Sequence, residues 1–312
     1  MAIYQHHINV ALTDFATVAA KQGGEFIGSR IAPELSVAKL TDAYYVYDTA
    51  HLRVSDEAAY KGGAQVNRIT WTESEDSYKI KAYALEVGIP TEQIKNADPL
   101  VDPERRRTKF LVGRMRLAAE KRVADSFFNA SNFSHTSSLS SQDRWNASTS
   151  DPFAQVQDAV ATVRSNIGNN ARTLVMGDAV WKQLVKHPDV IGRLQPTVRG
   201  GVATKEMIAS MFDVDEILVG SAIYDAAAEG GTTTVTDIWG KYVAVCYMEQ
   251  ANNTDDGVIT PMREFVWNQE PRFGVSTYDE PETRSRVVQC VEYSALKVIA
   301  HGAVYLYQTV VD

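Results

Sequence analysis

Apolar positions along the chain change their period several times, and the changes divide it into pieces. Residues 1–50 hold only short apolar runs, Phe15 to Ala20, Phe26-Ile27 and Val37 to Leu40, separated by Gly23-Gly24 and Pro33. This predicts an arm lying along other surfaces rather than the start of a core. Between Leu52 and Pro90, strand-like ends flank a polar middle that contains Tyr60-Lys61-Gly62-Gly63, Arg68-Ile69-Thr70-Trp71-Thr72 and Glu73-Ser74-Glu75-Asp76. From Tyr78 to Ile89 the chain alternates with the period of two of a half-buried strand, so a long two-stranded hairpin is expected. A helix follows, with Asp102 as N-cap, Pro103 at its first position and Glu104 near the positive end of its dipole. Val112, Met115, Ala119, Val123 and Phe127 form its apolar stripe.

Residues 129–150 are mostly Ser, Asn and Thr and mark a boundary, with a short strand pair expected around Leu139 and Trp145. Asp151-Pro152 opens a second helix whose stripe is Phe153, Val156, Val160, Val163 and Ile167, ended by Gly168. A strand at Thr173 to Met176, a helix from Asp178 stopped by Pro188, a helix from Thr204 to Phe212 and a buried strand at Glu216 to Val219 come next. Tyr242 to Met248 and Phe265 to Trp267 are predicted strands, and residues 285–311 supply two long final strands broken at His301-Gly302. The pattern is mixed α+β.

Length changes this picture little: 312 residues suit about two domains or one elaborate one. Hydrophobic residues at 45% and charged residues at 22% exclude wholesale disorder. Charge changes it more. A net charge of −8 leaves no global positive field for polyanions, which argues against a dedicated nucleic-acid reader. The helix from Asp102 is the exception. It carries Arg105, Arg106, Arg107, Lys109, Arg114, Arg116, Lys121 and Arg122 against Glu104, Glu120 and Asp125, so it is either a solvated face or one that meets acidic neighbours or packaged nucleic acid. Cys246 and Cys290 lie in apolar runs and are too few for a disulfide framework or thiolate cluster. No run approaches the roughly 18 apolar residues of a membrane helix, and Met1 to Val10 lacks a secretion signature, so the chain is expected to be cytosolic when made.

Candidate chemistry is sparse. Gly200-Gly201 and Gly230-Gly231 are turn pairs without the Lys-Ser/Thr of a phosphate loop. His6, His7, His51, His135, His187 and His301 form no ligand grouping, and no Ser occupies a GxSxG elbow. The acidic clusters at 73–76, 213–216 and 255–256 match no calcium loop and are expected to be solvated turns. No catalytic residue, cofactor or metal is expected.

The succession of segments then resembles the major capsid proteins of tailed bacteriophages. The similarity is most specific from Leu139 to Tyr224, through LSSQDRWNASTSDPFAQVQDAVATVRSNIG, TLVMGDAVWKQLVKHPDVIGRL and ATKEMIASMFDVDEILVGSAIY. A weaker similarity covers Phe26 to Pro33 and Asp102 to Ala130. The resemblance implies the α+β fold of that family: an N-terminal arm (1–51), an extended hairpin loop (52–90), a peripheral domain with a long spine helix (91–150), a mainly axial mixed α/β domain (151–282), and long C-terminal strands (283–312) returning to the peripheral domain. It further implies that the extended loop lies over a neighbouring subunit. Lys61, Gly62, Gly63 and Trp71 become the candidate contact residues, with Trp71 either the anchor of that contact or packed on its own hairpin.

The function implied is a major capsid protein that self-assembles into hexamers and pentamers, forming an icosahedral virion head around double-stranded DNA that it does not bind sequence-specifically. Because the capsid-like sequence begins within about thirty residues of Met1, a separate scaffolding protein is expected, with a portal as further partner. Lys61 is suitably placed for the covalent cross-link that some members form, but no motif singles out its partner, and the bond is not predicted. Two alternatives stay open: a cytosolic α+β enzyme with dispersed site residues such as Asp178, His187 and Ser221, and a related cellular compartment shell.

Overall fold

The computed structural model describes residues 9–21, 26–46, 74–97, 102–194, 204–228, 230–249 and 258–312. Its longest helix, α4 (Pro103–Phe127), starts where the sequence predicts, because the Asp102 carboxylate accepts from the backbone N–H of Glu104 and Arg105 at 3.0 and 3.2 Å. Such a cap contributes about 1 kcal/mol. Val112, Met115, Val123 and Phe127 of the expected stripe are buried, Ala119 is half-buried, and Glu120 is buried beside them.

The N-terminal half of α4 covers a sheet of β1 (Glu34–Val37), β4 (Lys81–Pro90), β11 (Met262–Trp267), β12 (Gly274–Glu280) and β13 (Ser285–Val298). β13 organises it. Along residues 285–294 it pairs with β4, while its opposite side pairs with β12 over 285–291 and with β11 over 294–298. Leu111, Val112 and Met115 pack on Ile89, Val275, Val288 and Cys290. A helix not expected from the sequence, α1 (Val10–Lys21), adds Leu12 and Ala16 to this cluster. Asn9 caps it by accepting from Leu12 N–H at 3.1 Å, and Thr13 Oγ1 accepts from Val275 N–H at 3.0 Å. Part of the expected arm therefore belongs to a core.

The second sheet runs β5 (His135–Ser138), β14 (Val304–Gln308), β10 (Val243–Cys246), β6 (Thr173–Gly177) and β7 (Glu216–Gly220). Both faces are buried, and alternate residues serve each. Leu174, Met176, Ile217, Val243, Val245 and Tyr307 meet Val156, Ala159, Val163 and Ile167 of α5 (Pro152–Ile167). Val175, Leu218, Ala244, Cys246 and Leu306 meet Phe127, at the end of α4, together with Phe128 and Trp239. Asp151 caps α5 through Ala154 N–H at 2.9 Å, and Gly168 ends it at φ 78°, the left-handed turn that glycine tolerates. Outside this sheet lie α6 (Asp178–Leu184), α7 (Pro188–Leu194) and α8 (Lys205–Phe212), the last capped by Thr204.

Several expectations are corrected. The hairpin beside the first sheet pairs β2 (Thr41–Val46) with β3 (Ser74–Lys79), so its first strand lies upstream of Leu52, within the stretch expected as arm. The polar run 74–76 opens a strand because one edge of it is paired. In place of a strand pair around Leu139 and Trp145 there is only β5, parallel to β14, and Trp145 is buried among turns with its indole N–H on Gln155 Oε1 at 2.7 Å. Pro188 opens α7, a first-turn position that needs no N–H, rather than simply ending α6. The C-terminal strands are divided between the sheets: β13 lies under α4, but β14 joins the second sheet, so 283–312 does not return whole to one unit.

Two glycines permit the close approach at the end of the second sheet. A Cβ on Gly177 would stand 2.0 Å from the Gly240 carbonyl oxygen, and one on Gly220 would stand 2.1 Å from the Trp239 ring. Gly177→Ala and Gly220→Ala are each expected to lower stability by about 1–3 kcal/mol in urea denaturation. Gly192→Ala on α7, where a Cβ meets nothing, should leave stability unchanged or raise it.

Candidate assembly surface

The β2–β3 hairpin has one anchored face and one bare face. On the anchored face Tyr78 stacks on Phe265 with ring centroids 4.4 Å apart, and Tyr44 tilts against the same ring at 5.3 Å. The Tyr44 hydroxyl lies 2.8 Å from Asp76 Oδ2, and Lys297 Nζ approaches the same oxygen at 3.4 Å. The hydrogen bond from Tyr44, then that from Ser77 N–H, holds the Asp76 carboxyl below its usual range. On the bare face are Ala43, Tyr45, Glu75 and Ser77, with Tyr45 62% exposed. Two strands with a single covered face are marginal in water, so further burial stabilises them. Residues 47–73 between the strands, which include Lys61, Gly62, Gly63 and Trp71, lie outside the described residues.

A second hairpin, β8 (Ile223–Asp225) with β9 (Val235–Asp237), is built alike. Tyr224 turns inward, where Lys121 Nζ sits 5.1 Å from its ring centroid. Ile223, Asp225 and Val235 share the opposite face, and Val235 is 61% exposed. Leu85 on the edge strand β4 and Phe110 on α4 are also exposed.

These surfaces are held together where α4 passes between the sheets. The buried Glu120 carboxylate accepts three N–H bonds: Ile27 and Trp239 Nε1 donate to Oε1 at 2.9 and 2.8 Å, and Gly28 donates to Oε2 at 2.9 Å. Ile27 and Gly28 begin the short helix α2 (Gly28–Ile31), so one side chain ties the N-terminal stretch, the long helix and the loop carrying Trp239. A Cβ on Gly28 would stand 2.5 Å from Glu120 Oε2. Farther along, Arg272 joins Glu34, Glu264 (2.7 Å) and Glu292 (2.8 Å), while Arg122 reaches Glu292 at 3.4 Å and lies 3.8 Å over the Tyr83 ring. In the sequence Glu120 stands only as one of three carboxylates set against the eight cations of the helix. Its position three, four and seven residues before Val123, Ala124 and Phe127 was the available signal that it lies on the buried face.

Burial raises the Glu120 carboxyl above its ordinary value of 4.5, against the pull of its three donors. A carboxyl raised on folding favours the folded state most when protonated. Its contribution is therefore greatest below the unfolded value and declines as pH rises through the folded value. Glu120→Gln removes this titration, so the stability difference between variant and wild type should shift in favour of the variant as pH rises from about 4.5. Urea midpoints across that range test this, and a difference that does not change with pH contradicts it.

Asp178 and Ser221 follow the register partners Gly177 and Gly220 at the ends of β6 and β7, but neither is hydrogen-bonded to His187. Asp178 pairs with Lys182 at 2.5 Å. His187 is buried in a structural role: its Nδ1 accepts from Asp189 N–H at 3.2 Å, which leaves the proton on Nε2, facing Ala147 O and Ser150 Oγ, each at 3.1 Å. The Ser150 hydroxyl is itself directed to Ala147 O at 2.9 Å, so the pair does not form a nucleophile and its base. Ser221 is exposed. A cleft of about 590 Å³ lined by Arg164, Asn169, Asn170, Arg172, Tyr247 and Glu249 contains none of the three. Cys246 and Cys290 are free and buried, and burial pushes the Cys290 thiol up to about 12. Among the described residues no group of three or more His, Cys, Asp or Glu could hold a metal, and no helix is long and apolar enough to cross a membrane.

Known proteins share this architecture. The family model described as phage major capsid protein E matches residues 128–284. The major capsid protein of Burkholderia phage BcepMu is 26% identical over 227 residues, covering 72% of this chain and 71% of that protein. That of Pseudomonas phage JBD67 is 23% identical over 247 residues, covering 78% of each. A phage-related protein from Bordetella bronchiseptica superposes over 98% of both chains with a TM-score of 0.79 at 20% identity. The capsid of Cyanophage P-SCSP1u shares the fold at a TM-score of 0.56 and 10% identity, over 89% of this chain and 86% of that one. The half-covered hairpins thus sit on a capsid fold, and with the family model spanning half its length the chain belongs to the phage major capsid protein E family, as a structural building block of the virion shell.

Proposed function

We propose that copies of this chain close as hexameric and pentameric rings into an icosahedral head around double-stranded DNA, assembled in the host cytoplasm with a separate scaffolding protein and a portal, and without catalysis of its own. One observation carries the proposal. The β2–β3 hairpin leaves the face bearing Tyr45 uncovered, on an element too small to be stable on its own strands alone. Symmetry supplies the cover, each subunit's hairpin resting on the next at interfaces on the order of 1,600 Å² or more. In this scheme the segment between the hairpin strands reaches over a neighbour, with Lys61, Gly62, Gly63 and Trp71 at the contact. The first sheet with α4 serves as the peripheral unit and the second sheet with α5 as the axial one. Electron microscopy of the purified chain, alone and co-expressed with its scaffold, tests this. Closed shells built on pentamers and hexamers are expected, and small particles under every assembly condition would overturn it.

A further inference from the structure

The outer side of α4 presents a surface that no other described residues cover. Arg106, Lys109, Phe110, Gly113 and Arg114 are exposed there, with Phe110 at 52%. Other cations of the helix have partners: Arg105 meets Asp102, Lys121 meets Asp125, Arg122 meets Glu292, and Arg116 lies over the Phe26 ring. Among the described residues, Arg106, Arg107 and Lys109 have no ion pair. Beside them a groove of about 400 Å³ is lined by Gln93, Ala97, Pro103, Arg106, Arg107 and Phe110.

Gly113 is a separate observation at the same place. Glycine inside a helix costs about 1 kcal/mol relative to alanine, and a Cβ here would meet nothing within 4 Å. Nothing among the described residues requires a glycine here, whereas an approaching backbone would use the space.

Charge indicates what approaches. Eight cations against three carboxylates put α4 at +5 in a chain of −8, so the remainder carries −13. A second copy therefore offers mainly acidic surface to this helix. Double-stranded DNA suits the patch less well, because the exposed Phe110 at its centre adds nothing to phosphate contacts. We infer that α4 docks an acidic, apolar-bearing segment of a second copy of this chain in the groove beside Phe110, with Gly113 as the point of closest approach. This rests on the shell-forming reading and names the contact within it.

The test uses full-length protein. Particles assembled from mixed unlabelled and nitrogen-15-labelled chains are treated with a carbodiimide, which joins Lys109 to any carboxylate in contact. Cross-links between Lys109 of one isotope and Asp or Glu of the other are expected; cross-links confined to one isotope, or to another protein, would overturn the inference. The Arg106→Glu, Arg107→Glu double variant should assemble at least about tenfold more slowly at low salt with an unchanged denaturation midpoint. Assembly at the wild-type rate, or normal shells holding less DNA, would refute the docking of a second copy. A wild-type chain that stays in small oligomers yet gives mixed-isotope Lys109 cross-links would sink the shell reading while upholding this contact.

Discussion

Glu120→Ala is expected to destabilise the subunit by about 3 kcal/mol or more, because it leaves buried donors unpaired at a cost of about 1–3 kcal/mol each. The donors are Ile27 N–H, Gly28 N–H and Trp239 Nε1. The loss should concentrate at the junction. Amide exchange at Ile27 and Gly28 is expected to accelerate more than exchange in β6 or β10, which are buried between α5 and the end of α4. Glu120→Gln should cost less, since its amide oxygen still accepts, although its NH₂ faces one donor. A urea midpoint unchanged in Glu120→Ala would show that the three bonds are replaced by water, contrary to the burial of this site.

The second large effect concerns assembly. Replacing residues 50–70 by a short Gly-Ser turn should leave the subunit folded, because the Tyr78–Phe265 stack and the β2–β3 register lie outside the replaced stretch. Closed shells should disappear. Circular dichroism reports the fold and electron microscopy the shells. Global unfolding would make the segment part of the core, and normal shells would make it dispensable. The replacement stops short of Ser74 because Asp76 holds Tyr44 and Lys297, so removing it would confound loss of a contact with damage to the hairpin root.

Local signals in the sequence located what local physics determines. α4 and α5 were legible because each has an aspartate cap, a proline at the first position and a stripe at steps of three and four. The buried strands β6 and β7 were legible as short apolar runs between turns. Pairing was not legible. The partner of β2 begins at Ser74, far along the chain, and half its residues face solvent, so Thr41–Val46 carries little sign of being a hairpin strand. β12, with the polar run Ser276-Thr277 through Asp279-Glu280, is a strand because β13 pairs with it along seven residues. β14 joins the second sheet through β10 and β5, a long-range choice that its own five residues do not announce. α1 was obscured because Leu12 and Ala16 form so short a stripe that only docking on α4 and β12 makes a helix of them. For the assembly surface, composition pointed to the cationic helix, but which of its charges are free depends on neighbours distant in sequence, such as Glu292 beside Arg122.

Surface left open in one subunit is closed by other copies in the shell. Amide hydrogen exchange compared between unassembled subunits and closed shells measures this directly at residues 41–46, 74–79, 223–225 and 235–237. Both hairpins are expected to exchange markedly more slowly in the shell while β6, already buried, changes little. Equal exchange of the hairpins in the two states would contradict it.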